Sequence, residues 1–138
     1  MKSNFLSYPP LNTDLSALLL RLILGGLMTY HGYTKIIAYD QILPMFTDLI
    51  GIGVKLSFNL VIFAELFCGL FLVFGFLTRL SVIPIFIAMF VAYFVAHGKD
   101  PFQVKELAFV FLLLSIVVFV LGSGKYSVDR LLFKPKEL

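Results

Sequence analysis

Four apolar runs, each close to the length needed to cross a bilayer, dominate this chain. A spanning helix takes roughly 20 mostly apolar residues. The runs from about Leu15 to Ile37, Leu56 to Leu77, Leu80 to Ala96 and Val104 to Leu121 meet that requirement. In hydrocarbon every backbone N–H and C=O must find its partner inside the protein, so such runs imply helices. Composition agrees: 60% of the 138 residues are hydrophobic and 14% are charged, against roughly a quarter charged in a soluble domain. The expected fold is therefore all-α, an integral membrane four-helix bundle filling a single domain over residues 1–138. The surroundings this implies are the lipid bilayer.

The connections refine the picture. Asn12, Thr13 and Asp14 precede the first span and are placed to cap the free N–H groups of its first turn. This run does not read as a cleaved leader, because Arg21 interrupts it and no small-residue cleavage site follows. Thr78 and Arg79 alone separate spans two and three, which must form a tight helical hairpin. Pro84 falls in the first turns of span three, where a missing N–H is tolerated. The longest loop, about 38–55, carries Ile42, Leu43, Phe46, Leu49 and Ile50 at helical spacing, and reads as an amphipathic helix ended by Gly51 and Gly53. Gly122-Ser123-Gly124 ends span four, leaving a tail over 122–138.

Four spans put both termini on one side. That side collects Lys2, Arg79, Lys125, Arg130, Lys134 and Lys136, against Lys35, Lys55, Lys99 and Lys105 on the other, so the termini are expected in the cytoplasm. The net charge of +3 is too small and too dispersed for nucleic acid. The single cysteine, Cys68, excludes an internal disulfide and a dithiol mechanism within the chain, and reads as an inert buried thiol.

The informative residues are those whose charge is costly in a membrane. Arg21, His31 and Lys35 lie on span one, Glu65 on span two, and His97 and Glu106 at the outer ends of spans three and four. At about 1.5 Å per residue, Arg21 lies roughly 9 Å in from the cytoplasmic end, His31 roughly 24 Å and Glu65 roughly 18–20 Å. His31, Glu65, His97 and Glu106 are thus expected to converge in the outer half, with Arg21 reaching toward Glu65 from below. Arg21, Gly25, Met28, Gly32 and Lys35 form one helical stripe, and Glu65, Cys68, Gly69 and Leu72 form another. Glycines let helices approach closely, so these two faces are expected to pack together.

Glu65 has two readings: a structural ion pair with Arg21, or a carboxylate that handles protons. Arg21 reads as structural, or as a cation for a lipid or ligand oxygen. His31 and His97 read singly as interfacial imidazoles, Lys35 as snorkelling to the outer head groups, and Glu106 as capping span four. Two His and two carboxylates at similar depth suggest a metal, but no close H-x-x-x-H or E-x-x-H pairing is present, and no metal site is expected.

Taken in order, these segments resemble the DoxX family of small four-helix bacterial membrane proteins. The resemblance rests on L-L-L-R-L-I-L-G-G-L and H-G-Y-T-K-I in span one, A-E-L-F-C-G-L-F-L-V-F-G-F-L-T-R across span two, H-G after span three, K-E-L-A opening span four and G-S-G-K-Y-S-V-D-R beyond it. It covers nearly the whole chain from about Leu15 to Arg130, and the family pattern includes residues matching Arg21, Glu65, Gly122, Gly124, Tyr126 and Ser127. It implies a bacterial inner-membrane protein and an oxidoreductase assignment, descending from members tied to thiosulfate:quinone oxidoreductase and to complexes handling oxidative or thiol stress. The chain has no cofactor motif of its own. The leading expectation is a subunit that binds quinone or another small redox ligand in the polar seam. In it Glu65 exchanges the proton, Arg21 and His31 orient the ligand (with His97 and Glu106 beside it), and a soluble or membrane partner supplies electrons. The alternatives are a non-catalytic scaffold or assembly partner that docks a protein through its tail, and a small-molecule or proton transporter acting as a homo-oligomer.

Overall fold

The computed structural model describes residues 5–134, and the regular secondary structure among them is all helical. Four helices are long and apolar enough to span a membrane: α1 (Thr13–Ile37), α3 (Val54–Phe74), α4 (Thr78–Ala96) and α5 (Phe102–Leu121). Each begins about two residues before the run expected from hydropathy. A short helix α2 (Tyr39–Ile42) follows α1, and α6 (Val128–Leu132) lies in the tail. Asn12 caps α1 as expected, its side-chain oxygen accepting from the Leu15 N–H at 2.9 Å. The earlier start of α4 puts Pro84 well inside the helix, where it deprives the Leu80 carbonyl of a helical donor.

The bundle is patterned for lipid. On α1, Leu22, Ile23 and Leu27 are exposed, while Arg21, Gly25, Met28 and Gly32 are buried. The apolar residues face out and the charged stripe faces in. Between the helices lies a core built on Leu24, Met28, Leu72, Val82, Ile85 and Phe111.

The two expected faces of α1 and α3 do pack together, and glycine sets their separation. A Cβ on Gly25 would lie 2.7 Å from the Gly69 carbonyl oxygen, and one on Gly32 would lie 2.5 Å from the Leu66 nitrogen. Backbone touches backbone there, so there is no room for a side chain. Gly26, one residue on, has nothing near it.

The long loop departs from the expected amphipathic helix. Helix α2 gives way to a single 3-10 turn, Leu43–Met45, and the chain then runs without regular structure to Gly53. Two causes are visible. Pro44 lacks an N–H, so it cannot donate a helical hydrogen bond back into α2. Asp48 then offers the backbone a competing partner: its carboxylate accepts from the N–H groups of Gly51, Ile52 and Gly53 and from the Ser57 hydroxyl, at 2.7–3.2 Å. Tyr39 and Phe46 pin the loop to the buried Phe58, each with a ring-centroid distance of 5.1 Å.

Two outcomes follow from this packing. Gly25→Ala should destabilise the bundle by about 1–3 kcal/mol through overpacking, while Gly26→Ala should stay within about 0.5 kcal/mol, as read by unfolding titrations in detergent micelles. The hydrogen bonds at Asp48, the Gly53 N–H first, hold its carboxyl below the usual Asp range. A depressed folded-state pKa makes its stabilising effect complete above about 3.9 and lost as pH falls below that value. Amide exchange at Gly51–Gly53, corrected for intrinsic rates, should therefore stay slow at pH 5 to 7 and rise below about pH 4.

Candidate functional site

The buried charges sort to opposite ends of the bundle. Helix α3 ends at Phe74, and the left-handed Gly75 (φ 69°) closes it, its N–H donating to Leu72 and the Phe76 N–H to Phe71. A helix C-terminus concentrates unsatisfied carbonyls and partial negative charge. Arg21 meets that need. Its guanidinium is completely buried and donates to the carbonyls of Leu72 at 3.0 Å, Val73 at 3.3 Å and Tyr126 at 2.5 Å. One cation thus ties α1, the end of α3 and the tail.

The tail completes this end. Both Asp129 carboxylate oxygens accept backbone N–H groups at the start of α4, from Leu77 at 2.6 Å and Thr78 at 2.9 Å, and its own N–H donates to the Gly75 carbonyl at 2.9 Å. Leu77 stands in the left-handed region (φ 47°) and supplies no side-chain cap, so α4 takes its cap from a distant part of the chain. Asp14 similarly accepts from the Lys125 N–H at 2.9 Å. The tail up to Asp129 is therefore part of the bundle rather than a free arm.

The expected Arg21–Glu65 pair does not form. Glu65 bonds instead to Lys35, Nζ to Oε2 at 2.6 Å, near the opposite end. Lys35 accordingly does not snorkel outward. Register explains both corrections: α1 and α3 run antiparallel, so Arg21 lies level with Leu72 and Val73, roughly two turns from Glu65. The Glu65 side chain is 6% exposed and that of Lys35 24%, so the pair is buried at the carboxylate and partly open at the ammonium. Glu65 also sits in a π-helical turn, Phe63–Phe67, a local widening often found at functional sites.

The remaining candidates stand apart from this pair. His31 packs edge-on against Phe111 of α5, with ring centroids 5.9 Å apart. His97 lies past the end of α4, its Nδ1 2.7 Å from the Asp100 carboxylate, with both side chains more than two-fifths exposed. Glu106 is exposed on α5, past its first turn, and Pro101 rather than Glu106 precedes that helix. Among the described residues no three His, Cys, Asp or Glu side chains gather where a metal would be held, so the expected convergence of His31, Glu65, His97 and Glu106 does not occur. Cys68 is buried and free.

An apolar groove of about 300 Å³ lies at the Glu65 end, between α3, α4 and the long loop. Phe46, Leu49, Ile50, Leu60, Ile87 and Val91 line it, and Ala64 brings it next to the π-helical turn of Glu65. Nothing in the hydropathy pattern marks this groove, because its lining reads as ordinary lipid-facing residues.

The family model for DoxX matches residues 16–98, which take in α1, the loop, α3, α4 and the pair Lys35–Glu65. The chain belongs to the DoxX family. No curated protein and no solved structure matches it. Glu106 and the Asp129 cap lie outside the residues that the DoxX model matches.

Because Asp129 satisfies two N–H groups that no other side chain among the described residues reaches, Asp129→Ala should cost about 2 kcal/mol. The check is a lower melting temperature in detergent, with Asp129→Asn falling between the two since one acceptor remains.

Proposed function

We propose that this DoxX protein is the membrane subunit of an oxidoreductase system in which Lys35 and Glu65 pass protons to a lipid-soluble carrier of the quinone class. The observation that carries this reading is the Lys35–Glu65 pair itself: an ammonium 2.6 Å from a carboxylate that sits in a π-helical turn, with the lysine side chain partly exposed. Reducing a quinone to its quinol takes two electrons and two protons. The electrons come from a partner protein, and the pair relays protons from the loop end to the carrier oxygens. The neighbouring apolar groove has the character to take an isoprenoid tail.

Arg21 has no part in this reading, since three carbonyls occupy it at the far end. The same reading places the termini in the cytoplasm of a bacterial inner membrane. Lys35 is taken up by Glu65, which leaves Lys55, Lys99 and Lys105 against the six basic residues of the termini side.

The test is Glu65→Gln, which keeps shape and removes the ionisable group. The variant should fold with a loss of no more than about 1–2 kcal/mol, because Lys35 can turn to water. It should lose quinone-linked activity in native membranes, and Lys35→Met should do the same. Full activity in a folded Glu65→Gln protein would leave the pair structural and make the chain a non-catalytic assembly partner.

A further inference from the structure

At the termini end, remote from Lys35 and Glu65, a surface cleft of about 700 Å³ opens between the start of α4, the Gly122–Lys125 turn and the tail helix α6. Three cations line it: Arg79, Lys125 and Arg130. Its two acids, Asp14 and Asp129, are turned to backbone N–H groups, and among the described residues neither forms an ion pair with any of these cations. Arg79 is held in place by its Nε, which donates to the Phe119 carbonyl at 3.0 Å. The Lys125 ammonium rests 5.0 Å from the centre of the Tyr126 ring.

Thr78 also lines this cleft. It is 1% exposed, and its hydroxyl has no hydrogen-bond partner among the described residues. A buried hydroxyl without a partner is costly and points to a group that completes it. The same cleft carries an apolar lip, with Leu80 64% and Phe133 61% exposed. Cations beside exposed apolar side chains, where the helices leave the membrane, match an amphiphile rather than a free ion.

We propose that this cleft binds an anionic phospholipid, its phosphate paired with Arg79, Lys125 and Arg130 and its acyl chains lying along Leu80 and Phe133. Arginine and lysine suit this ligand because a phosphate diester accepts several charge-assisted hydrogen bonds at once. Juxtamembrane basic clusters draw anionic lipid by the same attraction. The bound lipid would extend the work of the tail, sealing the end of the bundle that Asp129 and Arg21 hold together.

Purified full-length protein in detergent is titrated with dioleoyl phosphatidylglycerol, with dioleoyl phosphatidylcholine and with inorganic phosphate, and read by native mass spectrometry and thermal melting. Phosphatidylglycerol should bind and raise the melting temperature, while phosphatidylcholine and phosphate should not. The double variant Lys125→Gln/Arg130→Gln should bind phosphatidylglycerol about tenfold more weakly or worse. Lys55→Gln/Lys99→Gln, which removes equal charge at the other end, should bind as the parent does. If the double variant does not fold, Lys125→Gln alone carries the test, since among the described residues the Lys125 side chain makes no hydrogen bond or ion pair. Equal losses in both double variants would reduce the effect to net charge and overturn the site. Phosphatidylcholine binding as tightly, or inorganic phosphate alone giving the same protection, would overturn the lipid assignment.

Discussion

A guanidinium in hydrocarbon must find acceptors, and the way Arg21 finds them organises one whole end of this protein. The side chain is fully buried and, among the described residues, forms no ion pair with a carboxylate. Carbonyls replace the counterion: two from the capped end of α3 and one from the tail. Those carbonyls have acceptor capacity to spare because a helix end lacks the donors of a following turn. Arg21 and the α3 terminus therefore solve each other's problem, and the tail is drawn in because a third acceptor is needed. Its arrival places Asp129 over the start of α4, where two further orphan N–H groups await. In a bilayer such orphan groups cost several kcal/mol each, so satisfying them fixes the chain path as firmly as apolar packing does.

The spacing between α1 and α3 depends on a different rule. With lipid outside as apolar as the core within, close contact and dispersion must bring helices together. Gly25 meeting Gly69, and Gly32 meeting Leu66, supply that contact. Once the backbones touch, the antiparallel register is set to within a residue. That register decides which charges can meet: Arg21 is carried to Leu72 and Val73, and Lys35 to Glu65. The glycines select the ion pair, although they carry no charge.

This explains which parts of the molecule were legible in the sequence. The four spans, the Asn12 cap, the charged stripe of α1 and its meeting with the Glu65 face of α3 all follow from periodicity and hydropathy, which are local. The partner of Glu65 does not. Depth counted from a helix end carries an error of several residues, and a slip of two turns exchanges Lys35 for Arg21. Lys35 stood on the right stripe, yet its long side chain near a helix end also suited snorkelling. The loop was misjudged for another reason. Its apolar residues do keep helical spacing, but Pro44 has no N–H to give and the Asp48 carboxylate takes those of Gly51, Ile52 and Gly53. The role of Asp129 was hidden because a cap delivered across about fifty residues of sequence leaves no local pattern.

The two ends differ in what their charges are free to do. At the termini end Arg21 and Asp129 are spent on backbone groups, and moving a proton there would undo the hydrogen bonds that hold three segments together. At the loop end Glu65 and Lys35 bond to each other and, among the described residues, to no backbone group, so a change in their protonation breaks one contact without unfolding a helix terminus. Lys35 is partly exposed there, and the groove beside Ala64 is apolar. A site that exchanges protons with a lipid-soluble carrier needs access to both phases and a charge that can vanish without loss of the fold. Of the two cations on the inner stripe of α1, Lys35 is partly exposed and bonded to a single carboxylate, whereas Arg21 is fully buried and bonded to three carbonyls. On the proposed reading the chemistry therefore falls to the pair at the loop end, and the more deeply buried charge to the architecture.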